Sequence, residues 1–574
     1  MARIRRIQIE HFRSIQKLDW LPAPGINCLV GPGDSGKSTV IDAIDLCLGA
    51  RRNIQFADAD FCHLDIDTPI SISVTIGDLD DALKNLESYG LYLRGFDAES
   101  NTVEDEPEKD AETVITVRLT VSSDLEPDWS LVSERASALD AKRDLSWGDR
   151  GRVAPTRIGV MADYHLSWGR GSVLNRVSAE RADTSAALAK AARSARDAFG
   201  DDAQDQLGEA LRTVVDTAKA LGIPVGENIK AMLDVHSVSF SGGTVSLHDG
   251  SGVPLRGLGT GSTRLLISGL QRKAATQSAV ILIDELEYGL EPHRIIRLLG
   301  SLGAKEKEPP LQVFMTTHSP VVVRELCGNQ LFIIRSGVDE HTLRVAGTDD
   351  SIQGTIRLYP DAFLATSVIA CEGASEVGFV RGLDQYRTAY GGDSISAQGA
   401  TLVDCCGVDN VFTRAAAFRA LGYRVVAIRD DDKKPTPEIE ATFVKDDGKV
   451  IAWRDRRALE DELFLSLTHQ GVGKLVERAV QLCGEDLIND HIKSATQNGM
   501  DLPAIRAEIA AGLVTLESRG ALGKAARGKG AWFKTVTKME DVARDIVGPD
   551  LPEADAGFRQ LIEAIFAWVN DAQH

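Results

Sequence analysis

Four carboxylates in two short stretches could together bind divalent cations. IACEGASEV places Glu372 at the end of an apolar run and Glu376 four residues later, beyond a glycine. RVVAIRDDDKK ends a second apolar run on Asp430, Asp431 and Asp432. Alternate residues on a strand tip face the same way, so Asp430 and Asp432 share one side and Asp431 is turned away, with Asp431→Ala expected to be silent. Glu376, in the first turn of a helix, can converge on Glu372. Donors of this kind are hard oxygens, which suit Mg2+ or Mn2+ better than zinc. One such ion orients a phosphodiester, and a second about 4 Å away lets water attack while the leaving oxygen is stabilised. Plainer explanations stand beside this one. Negative charge near a helix N-terminus is favourable by itself, and three aspartates after a strand can form a solvated turn. Lys433 and Lys434 read either as a phosphate-facing rim or as local counter-charge.

Downstream, RALEDELF puts Glu460 on a helix whose Leu459 and Leu463 face the core. Glu460 is a further candidate ligand, the alternative being a solvated helix face. Between residues 518 and 538 the chain carries Arg519, Lys524, Arg527, Lys529, Lys534 and Lys538 and no acid. That is either a local phosphate-binding patch or a basic surface loop. Trp532 and Phe533 adjoin Lys534 and can hold its ammonium rigidly enough to stabilise charge on a transferring phosphate.

A second set of residues reads as a nucleotide site. GPGDSGKST follows an apolar strand and opens a helix. Gly31, Gly33, Ser35 and Gly36 let backbone N–H groups curl around phosphates, Lys37 reaches the terminal phosphates, and Ser38 with Thr39 completes the loop, Ser38 holding Mg2+. AVILIDELEYGL is a buried strand ending in Asp284, which can ligate Mg2+ through water, and Glu285, which can orient or deprotonate the attacking water. LQVFMTTHSP is another strand, ending in His318, which in isolation reads as a structural cap of the Ser-Pro turn.

These groups need strands and helices in alternation, and the chain supplies them. RIRRIQIEHF and INCLVG read as strands, and residues 36–48 as a helix with Val40, Ile41, Ile44 and Leu48 on one face. PISISVTI and TVITVRLTV alternate as antiparallel strands, with the acidic SNTVEDEPEKDAE between them as an exposed loop. AALAKAARSARDAF aligns Leu188, Ala191, Ala195 and Phe199 on one helical stripe, and VHSVSF reads as a strand. TDDSIQGTIRLYPDAF reads as a turn-rich linker before a fresh α/β series, and the chain beyond Glu460 as mainly helical. With 574 residues, 43% of them hydrophobic, several cores can form. The net charge of −20 excludes a general polyanion binder, so any nucleic acid must be met through local basic patches or metal ions. Eight cysteines without a CxxC pair fit reduced, mostly buried thiols. A charged N-terminus without an apolar core and the lack of a long apolar run point to a cytoplasmic protein with no membrane contact.

The order of phosphate loop, Asp-Glu strand and His-Ser-Pro strand resembles ABC-type ATPases of the SMC, RecF and Rad50 kind, and the opening IRRIQIEHFRSIQ looks like their first hairpin. LRGLGTGSTRLL sits where that family places its signature loop, so the resemblance implies that Gly259, Gly261 and Ser262 bind nucleotide, although GLGTGS departs from LSGGQ. Asp284, Glu285 and His318 take their family roles in the same way. In that family one protomer's signature closes over another's phosphate loop, which implies a homodimer or larger assembly. The order of Glu372, strand-turn TLVDCCGVDN, and Asp430 with Asp432 is similar to a Toprim domain. Together the two halves resemble OLD (overcoming lysogenization defect) family nucleases, most closely class 2, which includes the nuclease subunit of Gabija anti-phage systems encoded beside a UvrD-like helicase. The expected α/β architecture is an ABC-type ATPase in two parts, residues 1–148 and 236–350, around a helical insertion, 149–235, for dimerisation. A Toprim domain with helical C-terminal additions, 361–574, follows. The resemblance implies metal-dependent DNA nicking or cleavage with Mg2+ or Mn2+, and ATP with Mg2+. Glu372, Glu376, Asp430, Asp432 and Glu460 would be metal ligands and Lys534 the catalytic lysine, with Lys529 as fallback. No tyrosine stands out as a nucleophile, so hydrolysis is expected. The alternative is a RecF- or SMC-like ATP-switched DNA-binding or repair protein without nuclease activity.

Overall fold

The computed structural model describes residues 2–50, 54–108, 110–159, 163–166, 172–174, 185–220, 247–273, 279–337, 339–454, 456–528 and 530–571. The chain divides into two compact units, one of residues 1–29, 36–322 and 336–342, the other of residues 30–35, 323–335 and 343–574.

In the first unit, β1 (Arg3–Phe12) and β2 (Ile15–Trp20) form the opening hairpin, pairing Ile7 with Trp20 and Phe12 with Ile15. β3 (Ile26–Val30) runs into the phosphate loop, and α1 (Lys37–Leu48) leaves it. Helix α1 buries Val40, Ile41, Ile44 and Leu48, the apolar stripe that its sequence spacing predicts. The hairpin continues into an antiparallel sheet ordered β2-β1-β4-β7-β5-β6. Its further members are β4 (Ile70–Gly77), β5 (Leu93–Asp97), β6 (Thr102–Glu104) and β7 (Glu112–Val121), with β8 (Pro127–Leu131) also on β7. The acidic stretch expected as an exposed loop thus contributes β6, because Asp105 accepts hydrogen bonds from the Glu134 and Arg135 N–H groups and from the Arg135 side chain.

β3 lies parallel to β11 (Gln312–Thr316), β11 to β10 (Val280–Ile283), and β10 to the short β9 (Thr156–Arg157). All residues of β3, β10 and β11 are buried, as strands covered on both faces require. Of the expected insertion, residues 149–235, β9 instead joins the parallel sheet, and helix α2 (Ser185–Ala220) is described, with Leu188 and Ala195 half-buried and Ala191 and Phe199 exposed; VHSVSF lies outside the described residues.

The second unit holds a four-stranded parallel sheet: β12 (Ser367–Cys371), β13 (Ala400–Asp404), β14 (Arg424–Arg429) and β15 (Lys449–Ala452), ordered β13-β12-β14-β15. The chain crosses from one side of β12 to the other between β13 and β14. A reversal of strand order opens a crevice at the carboxyl ends of β12 and β14, where α/β sheets bind their ligands. The expected turn-rich linker instead forms helices Asp350–Leu358 and Asp361–Leu364, separated by Tyr359-Pro360. Ile352, Ile356, Ala362 and Phe363 are buried, so apolar spacing outweighs the turn-prone composition. A helical C-terminal layer packs around Trp453, Phe464, Trp532, Phe533 and Phe558. Among the described residues no helix is long and apolar enough to cross a membrane.

Candidate active site

β12 ends at Cys371, and the chain turns through Glu372 and Gly373 into α4 (Ala374–Ala389), whose first turn carries Glu376. β14 ends at Arg429, so Asp430 leaves the neighbouring strand at the same edge. The two tips are stitched together. Glu372 N–H donates to Ile428 O at 2.9 Å, and Asp430 N–H donates to Glu372 Oε2 at 2.9 Å. Gly407 N–H donates to Glu372 O at 2.7 Å, placing the turn after β13 on the same residue. In that turn Cys406 is exposed, whereas Cys371 and Cys405 are buried.

The third contributor is α5 (Leu459–Ser466), whose Leu459 N–H donates to Asp430 Oδ1 at 2.9 Å. This bond draws the helix start, with Glu460, to the strand tips. Glu460 is 5% exposed, so the solvated-face alternative does not hold, and Glu376 is 4% exposed. Burial and crowding act on these acids together. Burial first, and then the charges of Glu460, Glu372 and Asp432, together raise Asp430 to about 8. Glu376 is pushed well above the ordinary range by burial and then by Asp430, Glu460 and Glu372. Burial likewise raises Glu372, reinforced by Asp432, and Glu460, partly offset by the Lys534 ammonium. The predicted carboxylates are thus mutual electrostatic neighbours, and Lys534 is within reach of Glu460's field.

Among the described residues no three His, Cys, Asp or Glu side chains already gather tightly enough to hold a metal ion. The donor chemistry nevertheless fits a divalent cation. Every donor is a carboxylate oxygen, and the crowded negative charge that favours protons would equally favour Mg2+ or Mn2+.

Lys534 is exposed on a pinned backbone. Trp532 and Phe533 before it are fully buried, Trp532 Nε1–H donates to His491 Nδ1 at 3.1 Å, and Thr535 caps α7 (Val536–Val542). α7 lies so close to α4 that a Cβ at Gly378 would stand 2.4 Å from Val536 O, and one at Gly382 2.2 Å from Glu540 O. These two glycines let the segment carrying Lys534 lie against the helix carrying Glu376. Lys529 lies outside the described residues.

Two features correct the sequence reading. Asp431 does face away from the carboxylate set, but it is employed. Its Oδ1 accepts from Arg429 Nη1 at 3.0 Å and its Oδ2 from Arg456 N–H at 3.0 Å. Burial alone would raise it, yet these bonds hold it below the usual range. Asp431→Ala is therefore expected to lower stability by about 1–2 kcal/mol in urea unfolding, rather than to be silent. The basic stretch also divides. Arg519 is buried, its Nη1 donating to Phe464 O and Leu467 O at 2.8 and 2.7 Å, so it caps α5 and does not face phosphate. Arg527 meets Asp432 and Asp461, each at 3.1 Å. Neither Asp461 nor this pairing was visible in the sequence, since the partners lie far apart along the chain.

In the first unit, Ser38 Oγ donates to Asp284 Oδ1 at 3.0 Å, joining the phosphate-loop helix to the Asp-Glu strand. Thr316 Oγ1 donates to the same oxygen at 2.6 Å and accepts Glu285 N–H at 2.8 Å. Lys37 is buried. Gly36 has φ +87°, a conformation that favours glycine and opens α1. In the loop before it, Ser35 Oγ donates to Pro32 O at 2.9 Å. Glu285 is exposed and sits at φ +47°, an uncommon backbone for a non-glycine residue. His318 is exposed, and its N–H donates to Glu287 Oε1 at 2.6 Å. α3 (Thr260–Lys273) begins inside the GLGTGS stretch. A Cβ at Gly261 would stand 2.5 Å from Gly289 O, Gly259 has open space around it, and Ser262 Oγ accepts from Arg294 Nη1 at 3.1 Å. Arg264 follows on α3, 1% exposed, and gives its guanidinium to the carbonyls of Asp284 (2.9 Å), Glu285 (2.9 Å), Leu286 (3.3 Å) and Tyr288 (3.1 Å). Arg264 stood unnoticed inside the quoted motif.

Residues 26–324 match the family described as "AAA domain, putative AbiEii toxin, Type IV TA system", and residues 363–432 match "Overcoming lysogenization defect protein-like, TOPRIM domain". The chain is similar to an OLD nuclease of Thermus scotoductus, 22% identical over 472 residues that cover 76% of this chain and 83% of that protein. A stretch of 52 residues is 42% identical to the DNA replication and repair protein RecF of Shewanella baltica, covering 9% of this chain and 14% of RecF. Among solved structures, an Smc head bound to the C-winged helix domain of ScpA aligns with a TM-score of 0.33 at 13% identity, over 59% of this chain and 96% of that one. With residues 26–324 matched, more than half its length, the chain belongs to that AAA domain family, and the OLD-like TOPRIM domain after it gives an order of domains that fits the OLD family.

Proposed function

We propose that this protein is an ATP-binding DNA endonuclease that hydrolyses phosphodiester bonds at the Toprim carboxylates with Mg2+ or Mn2+, acting in anti-phage defence. The observation that carries the proposal is the placement of Glu372 and Asp430 at the strand-order reversal, with buried Glu376 and Glu460 electrostatically coupled to them. Glu372, Glu376, Asp430, Asp432 and Glu460 would hold the ions, which when bound supply Lewis acidity and an activated water. Lys534 would hold a phosphate oxygen as charge develops on it, with Lys529 as the alternative lysine. The pinned Trp532-Phe533 pair limits how far that ammonium wanders.

The nucleotide site would comprise Gly31, Gly33, Ser35, Gly36, Lys37, Ser38 and Thr39 with Asp284, Glu285 and His318, and Gly259, Gly261 and Ser262 would act on a second protomer's nucleotide. A homodimer or larger assembly, dimerising through the helical insertion of residues 149–235, follows from that geometry of use. The Trp532-Phe533-Lys534 tail favours a class 2 member similar to the Gabija nuclease subunit, working with a UvrD-like helicase. The 52-residue likeness to RecF keeps a second reading in view, a DNA-binding ATPase without cleavage.

The test is supercoiled plasmid incubated with purified protein. Nicking or linearisation with Mg2+ or Mn2+ and none with EDTA is expected. Asp432→Ala abolishes cutting and spares ATP hydrolysis, whereas Lys37→Ala abolishes ATP hydrolysis and leaves the Toprim chemistry intact or differently regulated. Plasmid left intact by wild type with either metal would favour the non-nuclease reading, and loss of both activities in either variant would break the two-site scheme.

A further inference from the structure

Arg527 is the C-cap of α6 (Leu516–Ala526), and a single nitrogen, Nη1, lies 3.1 Å from both Asp432 Oδ2 and Asp461 Oδ2. The two acids are not equivalent. Asp461 is 8% exposed, and its Oδ2 also accepts Ala458 N–H at 3.1 Å, closing the start of α5. It is further fixed by α6, since a Cβ at Gly523 would stand 2.6 Å from Asp461 Oδ1. Asp432 lies on the strand-tip loop, and among the described residues its recorded side-chain hydrogen bond is the one from Arg527. The guanidinium therefore has one fixed partner and one exchangeable partner. Its side chain is 36% exposed, so it can turn outward without leaving a buried cavity.

We propose that Arg527 is a resident counter-charge that trades Asp432 for a DNA phosphate when a divalent cation arrives at the carboxylates. This rests on the metal-nuclease reading above. Before the cation binds, Arg527 neutralises Asp432 and holds it beside Asp461. With Asp432 given over to a bound cation, the guanidinium would lose that carboxylate's charge and would turn outward from Asp461. An ion pair this exposed contributes little to stability, so releasing it costs little. The freed planar fork suits two phosphate oxygens, a geometry that lysine cannot reproduce. Arg527 is thereby a positioning residue that makes cation binding and DNA binding reinforce each other, and linkage requires the coupling to act in both directions.

The prediction is a pair of opposite effects. In DNA-free full-length protein, Mn2+ binding followed by electron paramagnetic resonance should tighten about two- to fivefold in Arg527→Gln, since a competing pair of roughly 0.5–1 kcal/mol has gone. Binding of a phosphorothioate-blocked duplex should strengthen with Mn2+ in wild type, and that increment should be lost in Arg527→Gln. Arg527→Lys, which keeps the charge but not the fork, should bind Mn2+ as wild type does and retain part of the increment at most. Equal Mn2+ affinity in wild type and Arg527→Gln, or weaker affinity in the variant, overturns the exchange. So does an intact Mn2+-dependent gain in duplex binding. Should wild type show no Mn2+ binding sensitive to Asp430→Asn, it is the metal-nuclease reading itself that falls. Thermal melting of each variant separates these outcomes from misfolding, and Arg527→Lys carries the test if Arg527→Gln does not fold.

Discussion

Asp430→Asn should abolish plasmid cleavage, by on the order of a thousandfold or more, while raising the melting temperature of the metal-free protein at pH 8. Ordinarily removing a half-buried hydrogen-bonded carboxylate destabilises. Here the amide keeps the shape and keeps an oxygen for Leu459 N–H, the 2.9 Å bond that seats α5. What it removes is a charge surrounded by Glu372, Asp432 and Glu460, which together with burial lift Asp430 to about 8. The direction of the pH dependence follows from that shift. The folded protein holds this proton far more tightly than the unfolded chain, whose aspartate titrates near the usual 3.9. Its contribution is therefore fully present only below the unfolded value of about 3.9 and is lost progressively as pH rises from there through about 8. Melting in EDTA at pH 6 and pH 8.5 should show wild type losing stability across that interval, and Asp430→Asn losing less. Mg2+ or Mn2+ should restore wild type and leave the variant unmoved, and ATP hydrolysis should stay within about twofold of wild type. A variant that melts lower than wild type at pH 8.5 without metal would mean that Asp430 is a structural acid and not a crowded ligand.

The second large effect belongs to Arg264. Arg264→Ala is expected to cost about 3–5 kcal/mol of stability in the ATPase unit and to eliminate ATP hydrolysis. The loss is not one hydrogen bond. Four carbonyls in the turn after β10, those of Asp284, Glu285, Leu286 and Tyr288, converge on one buried guanidinium. Without it the Asp284, Leu286 and Tyr288 carbonyls lose this donor, and Glu285 O keeps only the Tyr288 N–H at 2.9 Å. The turn includes Glu285 at φ +47°, and the guanidinium together with Thr316 is what keeps that residue in an uncommon conformation. Arg264→Lys should rescue little, because one ammonium cannot span four acceptors. Urea unfolding and ATP turnover measure the two consequences. Stability within about 0.5 kcal/mol of wild type would show that the turn holds itself, and the coupling from α3 to Glu285 would be wrong.

Residues that announce themselves locally were legible in the chain. Glu372 and Asp430 each follow an apolar run, Lys37 follows a glycine-rich loop, and the structure places all three at strand or helix ends. Helix α1 and the opening hairpin were legible for the same reason, a period of 3.6 or 2 over an adequate length. What escaped notice depends on pairs distant in sequence. Arg519 looks like a member of a basic run until Phe464 and Leu467 offer it carbonyls. Arg527 looks like its neighbour until Asp461 and Asp432 arrive from other elements. Asp431 was correctly turned away from its neighbours, but facing away does not mean facing nothing. The stretch from 349 to 364 misled by composition, since its Asp, Ser, Gly and Pro obscured the four-residue spacing of Ile352 and Ile356.

The turn after β13 has a practical consequence. Of the eight cysteines, Cys406 alone is exposed. Cys28 and Cys371 are pushed far above the ordinary thiol range by burial, and Cys47 and Cys405 up to about 12. Cys406 is itself raised, by burial and then by Asp404, so it will react slowly but with the least competition. Its neighbour Gly407 is bonded to the backbone of Glu372. With the half-buried Cys327 and Cys483 replaced by serine, a maleimide fluorophore would settle preferentially one residue from the carboxylate site, giving an optical reporter of cation arrival.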